Sequence, residues 1–367
     1  MRNVDLIGWV PNKAITLLIP LLCVLPFDWV KADTFPGKTW AELANPESRG
    51  WSSAKLSEAE AYSEVLDTAA VMIVHDGVVI DSWGDISHKF PSASIRKSLL
   101  SALYGIQVKK DKIHLTDTLE DLNIQDLPPG LTRSERQARV VDLLMARSGV
   151  YHQAAGETWH MKYHRPRRGS YGRGEYWYYN NWDFNALGTI YETATDEKIS
   201  ASLAKYIAGP LQMQDFNIND VGYFHDKISL HPSFYTQNSA RDLARFGLMY
   251  LNEGRWKNQQ VVPAEWVRKS TSQLSNVSLI SYTHTEKPAA TGYGYMWWVF
   301  SDGGFFPGVE IQGRAFLAYG YRGQYLIVIP AQNIVVVHLV NTWDPTESVS
   351  IAQMRNLLSL ILEAAPH

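Results

Sequence analysis

Ser94-Ile95-Arg96-Lys97 heads an apolar run, continued by Leu99, Leu100, Leu103 and Ile106, that follows a hairpin-like segment. At 3.6 residues per turn, positions 94 and 97 share one face of the predicted helix, with their side chains adjacent. A serine hydroxyl is a weak nucleophile unless a base stands within hydrogen-bond reach. A lysine serves as that base only when burial lowers its pKa toward neutrality. The apolar stripe around Lys97 predicts such burial. The helix N-terminus adds a partial positive charge, which favours an oxyanion at Ser94 and disfavours an extra proton on Lys97. A pair of this kind suits acyl transfer.

The spacing alone identifies nothing. Ser52-Ser53-Ala54-Lys55 and Ser202-Leu203-Ala204-Lys205 repeat it, so the surroundings must discriminate. The 367 residues are 46% hydrophobic and 19% charged, an ordinary globular composition large enough for one big or two smaller domains. A net charge of −3 and a pI near 6.4 argue against a dedicated nucleic-acid binder. Thirteen Trp and nineteen Tyr promise a core and groove walls rich in aromatic rings.

The N-terminus reads as an export signal. Arg2 and Lys13 precede the apolar run Ala14 to Leu25, and Val30-Lys31-Ala32 offers a cleavage site. Pro20 and Pro26 leave the run too short and broken to span a bilayer well. Residues 1–32 are therefore expected to be removed, with no stable membrane anchor afterwards and a periplasmic or secreted destination. The only cysteine, Cys23, falls in this segment. A mature chain would then have no disulfide and no thiol nucleophile.

Along the rest of the chain, a polar helix is expected around 57–67. Val71 to Trp83, broken by Asp76-Gly77, carries a strong short-range hairpin signal. From Leu115 to about Trp266 the periodicity is mostly helical. Strands return at Tyr293–Val299, 316–319, 325–329 and 334–340, and an apolar helix spans roughly Ser348 to Leu362. The expectation is an α+β fold in which both chain ends build one antiparallel sheet with helices packed on it. The sheet lobe would take about 33–110 and 275–367, and an inserted helical lobe about 111–274.

Tyr179-Asn180-Asn181 sits on a loop entering a helix, where the Tyr179 phenol and the Asn181 amide can reach one cleft. Beside a lysine cation the phenol pKa should fall, making the phenol a proton carrier. In order along the chain come the hairpin, Ser94-x-x-Lys97, Leu143-Leu144 with Arg147-Ser148-Gly149, Tyr179-x-Asn181 with Leu187-Gly188, and Tyr293-Gly294-Tyr295 before the last strands. In this order and spacing the chain resembles the serine β-lactamase and penicillin-binding superfamily, in its class C and esterase-like branch. The resemblance implies a β-lactamase/transpeptidase-like fold, with Ser94 as acylated nucleophile, Lys97 as general base and Tyr179 as second proton carrier. Asn181 would orient Lys97 or a substrate carbonyl. No cofactor or metal is implied. The absence of a Gly-x-Ser-x-Gly elbow removes the α/β-hydrolase reading.

The family's third motif, a Lys or His followed after one residue by Gly, falls on Ala318-Tyr319-Gly320. By the resemblance Gly320 keeps the close backbone approach, and the Tyr321 N–H would join that of Ser94 in an oxyanion hole. Ala318 brings no cation to hold the carboxylate of a penicillin or a D-alanyl peptide. A small ester, amide or peptide with a less anionic acyl group is the better expected substrate. A β-lactamase or D-Ala-D-Ala carboxypeptidase, and a non-catalytic penicillin-binding-like protein, stand as the alternatives. Arg322 would restore the missing charge, or is a solvated surface residue. His152 borders the cleft or is structural. Trp159, Trp177 and Trp182 wall the site or fill the core. His160 and His164, four apart, lack the His-Glu-x-x-His frame of a metal site.

Overall fold

The structure, a computed structural model, describes residues 34–277, 291–301 and 304–366. The expected export signal, Cys23 and most of the loop between Ser270 and Ala290 lie outside the described residues.

Asp76 and Gly77 both take positive φ (51° and 76°), the backbone that a two-residue hairpin turn requires and that Asp-Gly supplies cheaply. They join Ala70–His75 to Val78–Gly84, and this hairpin forms one end of an eight-stranded sheet. Next to Ala70–His75 lies the chain's last strand, Ile334–Leu339, antiparallel and in register from Ala70↔Leu339 to His75↔Ile334. The sheet continues through Gln324–Ile329, Arg314–Gly320, Trp298–Ser301, Thr291–Tyr293 and Ser275–Asn276. Both chain ends thus build one antiparallel sheet, as expected. Every residue of the two central strands, 324–329 and 334–339, is buried, so both faces of the sheet are covered.

Helix Ala240–Leu251 packs on the central strands. Gly247 makes that approach possible, because a Cβ there would stand 2.6 Å from Val335 Cγ1 and 2.7 Å from Leu326 Cδ1. Helix Ile95–Lys109 packs on Gln324–Ile329 and on Arg314–Gly320. The terminal helices, Ser53–Glu64 and Ile351–Glu363, pack on each other, and the Trp83 indole N–H ties the first of them to the sheet by donating to Ser63 Oγ (2.7 Å).

Two sequence expectations need correction. The single strand expected over Tyr293–Val299 is two paired strands, Thr291–Tyr293 and Trp298–Ser301. Gly294-Tyr295-Met296-Trp297 turns between them, with Met296 at φ 59°. Its aromatic run mimics continuous strand because the turn residues are themselves buried. The second correction lies inside the stretch expected to be mostly helical. Val221–Phe224 and Ser233–Asn238 pair there as antiparallel strands, and Phe90–Pro91 joins them. That small sheet delivers the chain to Ser94.

Candidate active site

Ser92 is clamped before the helix begins. Its N–H donates to Thr236 O (3.0 Å), and its hydroxyl lies 2.6 Å from Thr236 Oγ1. From the other side, Gly320 approaches so closely that a Cβ would stand 2.6 Å from Ser92 O. Ala93 then takes a left-handed conformation (φ 47°), which costs a non-glycine residue about 1–2 kcal/mol. The sharp turn sets Ser94 at the N-cap of Ile95–Lys109, where backbone N–H groups have no helical partner.

One turn on, the fully buried Lys97 places Nζ 2.9 Å from Ser94 Oγ, 2.7 Å from Tyr179 Oη and 3.0 Å from Asn181 Oδ1. The same nitrogen lies over the rings of Tyr179 (4.2 Å) and Phe184 (4.5 Å). Burial, and secondarily the charge of Arg96, hold Lys97 well below the ordinary lysine range. A neutral amine has two N–H donors and one lone pair. Asn181 Nδ2 donates to Gly156 O (2.8 Å), so Asn181 Oδ1 faces Lys97 as a pure acceptor. One donor and the lone pair remain for the two hydroxyls. The lone pair is therefore available to the Ser94 proton. Of the two roles open to Asn181, orientation of Lys97 is the one this geometry serves.

Asn180 and Asn181 divide the work at the next helix. Asn180 Oδ1 accepts from Trp182 N–H (3.1 Å), capping Asn181–Thr195, and leaves Asn181 turned to the lysine. Tyr179 is corrected in one respect. Its phenol is not acidified, because burial pushes it up to about 12 against the opposing pull of the Ser94 hydroxyl and Arg96. With Lys97 neutral, no adjacent ammonium lowers it.

The sequence profile of the family described as Beta-lactamase matches residues 57–360. This chain belongs to the β-lactamase family. Its fold is also that of solved β-lactamase-like proteins. A protein provisionally assigned in Bacillus anthracis as a 6-aminohexanoate-dimer hydrolase superposes with a TM-score of 0.62 at 19% identity, over 92% of this chain and 91% of that one. The octameric penicillin-binding protein homologue of Pyrococcus abyssi gives 0.61 at 19% identity, over 85% and 78%. A curated relative, an uncharacterized protein of Alkalihalophilus pseudofirmus, is 22% identical over 340 residues, covering 82% of this chain and 92% of the relative.

In this β-lactamase-family site, Ser94, Tyr179 and Asn181 open on a cavity of about 510 Å³. Tyr321, whose backbone follows Gly320, lines it as well, with a largely exposed ring. Three expected cleft residues lie elsewhere. His152 packs behind the site, its ring 6.2 Å from that of Trp182 and its Nε2 3.8 Å from Glu135 Oε2. Trp182 is completely buried, and its indole N–H donates to Asp126 Oδ2 (2.5 Å). Arg322 sits in a left-handed turn (φ 70°) outside the cavity lining, with its carbonyl accepting from Val349 N–H and its charge felt by Asp344. It does not replace the cation that Ala318 lacks.

Of the other tryptophans, Trp159 is exposed and stacks on Tyr163 (5.1 Å), while Trp177 packs behind Tyr179 against Tyr293 and Trp298. His160 lines the cavity, with His164 ring to ring at 4.3 Å. Among the described residues no group of three or more His, Cys, Asp and Glu could hold a metal ion.

The sequence reading missed the walls. Trp298, stacked on Tyr179 at 5.5 Å, and Tyr319 form one side, and Phe234 with Tyr235 of the small sheet form the other. Alternation was the available signal in the small sheet, since Phe234 and Thr236 are buried while Tyr235 is exposed. Arg96 also lines the cavity.

Proposed function

We propose that this chain is an exported serine hydrolase that cleaves an ester or amide of a small-molecule or peptide substrate through an acyl-enzyme on Ser94. The observation that carries the reading is the buried Lys97 amine, within hydrogen-bond reach of Ser94, Tyr179 and Asn181 at once. Ser94 Oγ attacks the carbonyl as its proton passes to the Lys97 lone pair. The N–H groups of Ser94 and Tyr321 are the donors assigned to the oxyanion. Tyr179, a phenol that keeps its proton, gives that proton to the leaving group and recovers one from the Lys97 ammonium. Water then hydrolyses the acyl-enzyme with the same proton transfers reversed.

The aromatic part of the cavity wall favours an apolar acyl or leaving group, beside the Arg96 cation that also lines the cavity. Trp298, Tyr319, Phe234 and Tyr235 are all aromatic, and the strand position of the family's cation is Ala318. The hydrolase named in the Bacillus anthracis neighbour adds weight to turnover over binding alone. Export rests on the N-terminal pattern of residues 1–32, and the mature chain would begin at Asp33.

Ser94→Ala should lower turnover of a short-chain nitrophenyl ester by several orders of magnitude and abolish the mass increment left by a fluorophosphonate. Full activity in that variant would overturn the assignment. Faster turnover of a chromogenic cephalosporin than of the ester by the unaltered chain would favour the β-lactamase reading. N-terminal sequencing of protein recovered from an export-competent host tests the cleavage after Ala32.

A further inference from the structure

Arg96 is a buried cation without a counter-ion among the described residues. It is 6% exposed, although arginine is almost never buried unpaired. Its Nε donates to Phe234 O and its Nη2 to Ser233 Oγ (2.7 Å), while the guanidinium carbon lies 4.9 Å from the Phe234 ring centroid. Nη1 has no hydrogen-bond partner among the described residues. All of these contacts are neutral, and no carboxylate among the described residues pairs with it.

Its position is what gives this charge a consequence. Arg96 precedes Lys97 in the helix, and the anchors of the two side chains flank one residue. A Cβ on Gly156 would stand 3.1 Å from Ser233 Oγ, which holds Arg96, and 4.0 Å from Asn181 Nδ2, whose amide holds Lys97. Like charges on neighbouring buried side chains disfavour each other. Arginine cannot give up its proton in a protein and lysine can, so the lysine yields.

We propose that Arg96 is a positioning residue whose uncompensated charge keeps the neighbouring Lys97 amine unprotonated and ready to take the Ser94 proton. The other groups facing Lys97 offer no competing charge. Tyr179 from the loop before its helix and Tyr319 from the sheet are phenols that keep their protons. Tyr293 is a neighbouring phenol on the edge side, and burial pushes the Asp183 carboxyl on the Asn181–Thr195 helix well above the usual carboxylate range, toward its neutral form. Burial alone also disfavours the ammonium. Arg96 adds to that effect from a fixed direction.

This inference rests on the acyl-enzyme reading, and one experiment separates the two. The rate at which a fluorophosphonate labels Ser94 is followed by mass spectrometry against pH in the unaltered chain, Arg96→Gln and Ser233→Asp, with thermal unfolding of each. Arg96→Gln removes the charge, and Ser233→Asp leaves it in place but supplies a counter-charge. In both variants the acid limb of the labelling profile should move up by about one pH unit, with the plateau rate at high pH largely kept. Should Arg96→Gln fail to fold, Ser233→Asp carries the test. If Arg96 only tethers the Ser233–Asn238 strand, unfolding temperature and rate drop at every pH while the limb stays put, and the proposal falls. If the unaltered chain is not labelled at Ser94, it is the acyl-enzyme reading that fails.

Discussion

One spacing occurs three times in this chain with three outcomes. Ser52 caps the first helix, its hydroxyl accepting from the Lys55 N–H (3.4 Å), and Lys55 Nζ lies on the surface donating to Glu363 O (3.1 Å). Ser202 is buried, but its hydroxyl donates to Glu197 Oε2 (2.9 Å), and the exposed Lys205 takes the other oxygen of the same carboxylate (2.6 Å). Glu197 satisfies both groups and separates them chemically. At Ser94 and Lys97 no carboxylate intervenes, burial is complete at the amine, and two neutral acceptors from the 179–181 loop complete its shell. The same two residues at the same spacing are a helix cap, a surface ion-pair cluster and the pair proposed to be reactive. Burial and the identity of the third partner decide among them.

The comparison is broken most directly at the three lysines. Lys97→Met should cost about 10³-fold in kcat on the nitrophenyl ester, the loss of a general base, whereas Lys55→Met and Lys205→Met should leave it within twofold, measured by steady-state kinetics. A large loss at Lys205 would mean that environment does not discriminate as argued. Tyr179→Phe comes next. It keeps the ring against Trp298 and removes the proton donor, so kcat should fall about 10²-fold, more for a poor leaving group such as an amide than for nitrophenolate, which leaves without a proton. Equal losses on both substrates would point to a role in holding Lys97 instead.

How much of this was legible in the sequence follows the range of the interactions. The Asp76-Gly77 hairpin and the pairing of the chain ends were visible because turn chemistry and apolar runs are local. Ser94, Lys97, Tyr179 and Asn181 were legible as residue types in an order, while their meeting at one nitrogen depends on the fold. Trp182 and His152 misled because a loop near the site looks the same whether its side chains turn toward the cavity or toward Asp126 and Glu135. Arg96 went unread for a similar reason. A cation inside a helix reads as solvated until a strand from residues 233–238 is seen to cover it, and that strand was hidden in a helical expectation.

Gly320→Ala tests the clamp that sets Ser94 apart from the other two serines. The added Cβ meets a backbone oxygen, Ser92 O, at 2.6 Å, and backbone cannot swing aside as a side chain can. Overpacking of this kind costs about 1–3 kcal/mol, read as a lower urea midpoint at unchanged slope. Esterase activity should fall as well, because the displaced segment carries Ser94.

The cleanest contrast is in pH dependence, since Lys97 and Lys205 should pull stability in opposite directions with pH. Lys97 is held well below the ordinary lysine range by burial. Between its folded pKa and the unfolded value near 10.4, the unfolded chain binds a proton that the folded chain does not. Unfolding free energy therefore rises with pH across that window, by at most about 1.4 kcal/mol per pH unit, and is flat on either side. Lys205 is pushed above the ordinary range by its bonds to Glu197 and Tyr206. Its contribution is fully present below the unfolded value and fades as pH climbs through the folded one. Subtracting the Lys97→Met denaturation curve from that of the unaltered chain should give a difference that grows from pH 7 to 10. The same subtraction with Lys205→Met should be level over that range and fall above it. The titrations of groups that do not touch the substituted lysine cancel in each difference. A Lys97 difference that stays level from pH 7 to 10 would mean the amine is protonated in the folded chain, and an ammonium there has no lone pair for Ser94.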